Sequence, residues 1–348
     1  MPGVVVLGAG VSGLTTAIML LRNGHKNVVV VGKHIPGDMS HEYTSPWAGA
    51  SVLSFATSTD KRLQAIDRYT LKEFKRLANE DFSAGVMYCP GLQYNDLPDM
   101  PGQDSLWVRD HYAEFKEIPK DLLPEGTAFG FRFVSFTTSV PTYLAWLVRT
   151  LESLGGRLER GSFESLQEVM EKYKDADTLI NCTAMGARDL KDVLDDNMYT
   201  LRGQTVLVRA PHVKQQFYRD GDGYFTYIIP RADGNVICGG TMDLVNKDPK
   251  PDAELTKTIL KNCCNLYPDI THGKGPEAFD IVSVNVGFRP GRKGGIRIEK
   301  ESRYLPNGKK YTVCHNYGHS SHGYQSSWGS SALVVKLLND KTGLLSKL

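Results

Sequence analysis

The chain has 348 residues, of which 41% are hydrophobic and 23% charged, and carries a formal net charge of +2 at pH 7. That length suits two domains with sizeable cores, and the composition is that of a globular protein. The near-neutral balance excludes an electrostatic case for nucleic acid or an anionic membrane surface, and no apolar run reaches the length of a membrane span.

Val4-Val5-Val6-Leu7 reads as a buried parallel strand, since three of its four residues are β-branched. It begins almost at the first residue, without the basic-then-apolar order of a secretory signal. Gly8, Gly10 and Gly13 follow at Gly-x-Gly-x-x-Gly spacing. In a strand-to-helix turn the first glycine permits the bend, the second lets backbone approach a pyrophosphate, and the third lets the helix pack on the sheet. A helix through Thr15–Leu21 offers its positive end to the phosphates, Gly24 ends it, and Val28–Val31 is the next strand. Gly8-Ala9-Gly10-Val11-Ser12-Gly13 is thus a dinucleotide-binding turn. An acid normally ends the second strand and holds the adenosine ribose. Gly32-Lys33-His34 stands there instead, so the motif alone leaves FAD, NAD and NADP open.

Ser45-Pro46-Trp47-Ala48-Gly49-Ala50 sets small residues around one aromatic, as where backbone packs close to a ligand. Periodicity predicts helices over 60–79, 140–154, 165–172, 253–267 and 327–338. Short strands and loops are expected over 86–130. Strands are expected at 157–160, 177–183, 204–208, 224–230, 235–240, 280–288 and 311–315. The strand at 177–183 runs into Ala184-Met185-Gly186-Ala187, a second small-residue turn at the nucleotide sheet. The β-rich stretch from Gln204 suggests a separate antiparallel sheet. The expected division is a discontinuous nucleotide domain (1–58, 140–200, 285–348) and a second domain (59–139, 201–284).

Six cysteines, Cys89, Cys182, Cys238, Cys263, Cys264 and Cys314, include no Cys-x-x-Cys pair, which predicts free thiols and no zinc or redox motif. His315, His319 and His322 have no metal-site spacing, and no metal is expected. Ser346-Lys347-Leu348 reads as a peroxisomal address, taken up by an import receptor.

Several separated blocks together resemble the D-amino-acid oxidases, a flavoprotein family that includes D-aspartate oxidase. They are the opening strand and glycine turn, Ser45–Ala50, Arg202–Val208, Tyr227-Ile228-Ile229-Pro230-Arg231, Cys238-Gly239-Gly240-Thr241, Asn285–Pro290, and His315–His319 with Gly323–Gly329. The resemblance covers nearly the whole chain. It implies an α/β fold: a Rossmann-like βαβ FAD-binding domain plus a mainly antiparallel β-sheet substrate domain. The reaction implied is oxidation of a D-amino acid by O2, by hydride transfer from the α-carbon to flavin N5, giving a 2-oxo acid, ammonia and hydrogen peroxide. Assembly is left between monomer and homodimer.

By the same resemblance, Arg289 pairs with the substrate carboxylate, Tyr227 also reaches it, Tyr224 is a second tyrosine over the substrate, and a carbonyl of Ser321 holds the amine. FAD is implied to contact Gly8–Gly13, Lys33, His34, Ser45, Trp47, Ala48, Gly49, Ala50, Phe163, Thr183, Ala184, Gly186, Arg289, Gly318, Ser320, Ser321, Gly323, Tyr324 and Gln325. The loop Gly318–Gln325 and the last helix's positive end suit negative charge on reduced flavin. Phe55, Met242 and Phe217 align with the side-chain pocket and favour neutral D-amino acids, since an acidic side chain would be buried unpaired. The alternative is a D-aspartate or D-glutamate oxidase. The chain departs from the family at the missing ribose acid, at Ala184 where relatives often have Gly, and at Val245-Asn246-Lys247, which replaces a Gly-x-Trp pattern. From that loop Lys247 can swing inward to meet an acidic side chain. An NADP-linked reductase would explain Lys33 but not Gly-Phe-Arg-Pro. A non-enzymatic flavin-binding protein would have no use for Arg289 and Tyr227.

Overall fold

A computed structural model describes residues 3–98 and 105–340. The tripeptide Ser346-Lys347-Leu348 lies outside the described residues. In chain order these form β1 (Gly3–Leu7), α1 (Val11–Arg22), β2 (Val28–Gly32), α2 (Lys61–Glu80), β3 (Val86–Asn95), α3 (Ser105–His111), β4 (Ala113–Glu117), β5 (Phe129–Thr138) and α4 (Val140–Ser153). Then come β6 (Arg157–Arg160), α5 (Leu166–Lys172), β7 (Ala176–Asn181), β8 (Met198–Arg209), β9 (Gln216–Gly221), β10 (Tyr224–Pro230), β11 (Asn235–Gly239) and α6 (Ala253–Leu266). The described residues end with β12 (Ile281–Arg292), β13 (Arg297–Tyr304), β14 (Lys310–Tyr317) and α7 (Gly323–Asn339).

The first sheet has the order β13-β14-β7-β1-β2-β6. All its neighbours are parallel except β13 with β14. Alternation sends Val4, Val6, Val28 and Val30 into one core with α1, α2, α4 and α7, and Val5, Leu7 and Val31 into another with α5. This burial on both faces is why β1 and β2 are continuous apolar runs. A Cβ on Gly13 would overlap the carbonyl oxygen of Gly8, so only glycine lets α1 leave β1 this tightly.

The second sheet has the order β12-β8-β11-β10-β9-β3-β5-β4. It is antiparallel except where β3 meets β9. One face packs Val206, Val208, Phe217 and Ile228 against α6. The other carries Tyr218, Tyr227, Ile229 and Ile237.

The structure differs from the sequence expectations in several places, among them α3, a helix where short strands and loops are expected, and β9, a strand with no forecast. β13 has no forecast, because its charged sequence Arg-Ile-Glu-Lys-Glu-Ser-Arg-Tyr hides an edge strand. α7 begins at Gly323, so Tyr324 and Gln325 belong to its first turn rather than to a loop. β12 continues through Arg289 to Arg292. α2, expected in the second domain, buries Ile66, Phe74 and Leu77 in the core shared with β1 and α1. Gly329 of α7 packs so closely on α2 that a Cβ would overlap the Ile66 backbone.

Candidate active site

Residues from both sheets line a cavity of ≈ 1160 Å³. At one end the walls are largely backbone. Gly8, Ala9, Gly10, Val11 and Ser12 line it, and Gly10, the residue before α1, has no side chain to cap it. Ser45 fixes the turn by accepting the Val11 amide at 3.0 Å, and the Tyr43 hydroxyl donates to the Ala9 carbonyl at 2.8 Å. Arg231, buried, donates to the carbonyls of Gly49 (2.6 Å) and Ala48 (2.8 Å), which fixes the Ser45–Ala50 segment against the second sheet. Tyr324 ties the same segment to α7 by donating to the Ser45 carbonyl at 2.9 Å. Thr183, Ala184 and Gly186 line the cavity at the end of β7, with Ala184 at φ +54°. That is the left-handed region, which explains why glycine suits the position better.

Lys33 and His34 line the outer part of this end with Phe163. Lys33 Nζ and His34 Nε2 both bond to Oε2 of Glu42, and these contacts lower the Glu42 carboxyl from its ordinary range. A loop residue thus brings an acid to the place where β2 lacks one.

At the other end the walls are side chains. Arg289 Nη1 donates to the Thr241 carbonyl at 3.0 Å. Its guanidinium lies across Gly203, where a Cβ would overlap it. The Tyr227 ring lies equally close to Gly239 and Gly240, which pair with and follow it across the ladder. Thr241 Oγ1 also accepts the Gln204 amide at 2.7 Å. The blocks Arg-Gly-Gln and Cys-Gly-Gly-Thr are therefore the clearance and fastening of Arg289 and Tyr227. Burial raises the pKa of the Tyr227 hydroxyl, and the Arg289 charge beside it acts the other way. Tyr218, Phe225, Leu53, Phe55 and Met242 supply the remaining apolar surface, with Ser320 and Ser321 from the turn before α7.

Asp67 of α2 ties Ser54 to α7. It accepts from Ser54 Oγ (2.6 Å), Gln325 Nε2 (2.9 Å) and Ser326 Oγ (3.1 Å). Burial pushes its carboxyl up to about 7 against the pull of these donors. His319, driven down to about 3 by burial, is a neutral imidazole bonded to Ser330 Oγ. His315 instead meets Asn181 and Glu301, so the histidines near α7 have separate partners.

Four expectations need correction. Tyr224 does not face the cavity: it is 40% exposed and donates to Asp96, while its neighbour Phe225 points inward. Phe217 is stacked on Tyr267 on the α6 side (centroids 4.3 Å apart), and Tyr218 faces the cavity in its place. Both are one-residue errors on strands, where each step reverses the face. Gly13 and Gly318 do not line the cavity. Gly13 acts by close packing, and Gly318, at φ +89°, would press a Cβ on Arg292. The other proposed contacts, including Trp47, Ala50, Gly323 and Gln325, do line it.

The chain matches the FAD dependent oxidoreductase (DAO) family over residues 3–337. It belongs to that family. It is 38% identical to a D-amino-acid oxidase of Schizosaccharomyces pombe, over 98% of this chain and 97% of the relative. It is 33% identical to a D-aspartate oxidase of Talaromyces thermophilus, over 97% and 95%. In fold it is similar to glycine oxidase from Bacillus cereus, with a TM-score of 0.73 at 16% identity, covering 98% of this chain and 96% of that one.

The residues present in this oxidoreductase fit FAD. α1 and α7 both begin on the cavity wall, so their positive ends face a pyrophosphate and an anionic ring system. Asn316 Oδ1, buried without a partner, is an acceptor on the same wall.

Proposed function

We propose that this oxidoreductase oxidises D-amino acids with neutral side chains, using FAD and O2 and producing 2-oxo acid, ammonia and hydrogen peroxide. The observation that carries the reading is the Arg289 guanidinium set beside Tyr227, with Leu53, Phe55, Phe225 and Met242 on the walls of the same cavity. Relatives named D-amino-acid oxidase support the reaction, and relatives named D-aspartate oxidase keep the acidic-substrate alternative in view.

Arg289 binds the α-carboxylate through a planar fork, as a carboxylate in an apolar pocket requires. The Tyr227 hydroxyl donates a further hydrogen bond to it. Ser321 holds the amine through its carbonyl. Leu53, Phe55, Phe225 and Met242 exclude water from the α-carbon and accept an apolar side chain. When bound, FAD supplies the two-electron acceptor that takes the α-hydrogen as hydride and passes the electrons to O2. The substrate binds as the free amine, its ammonium proton having gone to water, and the amine lone pair provides the driving force; neutral His319 is bonded to Ser330 and takes no proton. Positioning and desolvation are the protein's contribution. A domain that holds the cofactor and one that holds the substrate belong to the same reading. So does a peroxisomal location, supported by Ser346-Lys347-Leu348 and tested by import of a fluorescent fusion with and without those residues.

Denaturing the purified yellow protein should release FAD, and peroxide should form from D-alanine and D-methionine but not from their L-forms. D-Aspartate should trail D-methionine by about two orders of magnitude in kcat/KM, since an unmatched buried carboxylate costs several kcal/mol. A colourless protein that binds NADP would overturn the reading. Equal or better rates on D-aspartate would move it to the acidic-substrate alternative.

A further inference from the structure

The segment after Thr241 departs from the family's Gly-x-Trp pattern, yet it is firmly held. The Arg202 amide donates to the Asp243 carbonyl at 2.8 Å, and the Asp243 amide donates back to Arg202 at 2.9 Å. The buried Arg202 guanidinium donates to the carbonyls of Asp248 and Lys250, both at 2.8 Å. Gln204 accepts the Asp252 amide at 2.8 Å and donates to the Asp252 carbonyl at 2.7 Å. Residues 243–252 are therefore fastened to β8 on either side of Gly203, which clears space for Arg289.

This fastening sets Lys247 on the wall of the same cavity that Arg289 and Met242 line. Its Nζ is held by two neutral acceptors, the carbonyls of Thr200 (3.0 Å) and Leu244 (2.8 Å). Thr200 pairs with Pro290 across the β8–β12 ladder, next to Arg289. Among the described residues no carboxylate forms an ion pair with Lys247. Asp243 feels its charge, but that carboxylate is already taken by the amides of Val245 and Asn246. An ammonium oriented by dipoles and left without a counter-charge can still accept an anion.

We propose that Lys247 is a specificity-determining residue that admits D-amino acids bearing a distal side-chain carboxylate as a second substrate class. This rests on the reading of Arg289 as the α-carboxylate partner. The inner walls, Tyr218, Phe225 and Leu53, carry no charge, so a side-chain carboxylate gains a partner only where it reaches the exposed rim on which Lys247 stands. D-Glutamate, one methylene longer than D-aspartate, is the better fit. Neutral side chains that reach the rim bring no charge to pair with the ammonium, so they do not depend on Lys247.

The test compares the wild-type holoenzyme with Lys247→Met, Lys247→Arg and Lys247→Glu on D-glutamate, D-aspartate, D-methionine and D-lysine, with kcat and KM measured separately. Lys247→Met should raise the KM for D-glutamate at least tenfold, with kcat and all D-methionine constants within twofold. Lys247→Arg should keep D-glutamate turnover, and Lys247→Glu should depress it further while improving D-lysine. Equal losses on D-glutamate and D-methionine, unchanged D-glutamate kinetics in the Met and Glu variants, or no D-glutamate turnover by the wild type would each overturn the proposal. Failure of the underlying reading looks different: no peroxide from any D-amino acid.

Discussion

The two ends of the cavity are built from different material. The end bounded by α1, the Ser45–Ala50 segment and the turn after β7 is mostly backbone, held by the hydrogen bonds of side chains such as Arg231 and Tyr43. The end bounded by β8, β10 and β12 is side chain, with backbone only giving clearance at Gly203, Gly239 and Gly240. Backbone walls tolerate few residue types and therefore leave a spelling in the sequence. Side-chain walls tolerate many, and their meaning depends on which way each residue faces.

The largest effect should come from disrupting the backbone end. Gly13→Ala puts a methyl into the Gly8 carbonyl oxygen, with no flexible atom to give way. The expected cost is more than about 4 kcal/mol, seen as loss of folded, FAD-retaining protein in a thermal melt. The next should disable the side-chain end while sparing the other. Arg289→Leu should leave FAD content unchanged and lower kcat/KM on D-alanine by about two to four orders of magnitude, since stranding one member of a desolvated charge pair costs about 3–5 kcal/mol. Near-normal kcat/KM would show that another cation holds the carboxylate.

A third test concerns Asp67, buried between Ser54 and α7. With the Asp67 carboxyl at about 7 in the fold and near 4 when unfolded, the folded chain keeps a proton that the unfolded chain gives up. This contribution to stability is complete below about pH 4, declines as pH rises, and is lost above about pH 7. Asp67→Asn should remove that slope, on the order of 2–4 kcal/mol between about pH 4 and 8, as read from urea midpoints. An identical pH profile in wild type and variant would contradict it. The smallest effect concerns which strand residue faces inward. Tyr224→Phe loses only an exposed bond to Asp96 and should change stability by less than about 0.5 kcal/mol, with kcat/KM within twofold. Phe225→Leu, one residue on, should raise the KM for D-methionine.

The same contrast decides what can be read in advance. Val4–Val31 spells a strand, a helix and a strand, because both-face burial and the glycine turn admit little else. The second sheet is legible as β structure, but not residue by residue. Phe217 and Tyr224 each stand one step from the residue that faces the cavity, and period-two alternation makes that step a reversal. β13 is hidden because its charged residues suit an edge as well as a loop. Asp67, Arg231 and Glu42 have no local signal. Their partners lie elsewhere in the chain, at Gln325, Gly49 and Lys33, and only the fold shows that these groups meet.

The order of strands in the first sheet has a consequence for synthesis. β1 pairs with β2 on one side, but its other neighbour is β7, whose own far side is covered only by β14. Val5 thus waits for Leu179, and Leu179 for Val313. Such distant pairings close slowly and leave apolar strand edges open meanwhile. While the ribosome is still making residues up to Tyr317, β7 has an unpaired edge and α7 does not exist. The nascent chain therefore depends on protection from aggregation until its last strand and helix emerge. FAD loading should therefore follow synthesis, and truncations that remove β14 and α7 should yield insoluble, colourless protein rather than a weakened enzyme.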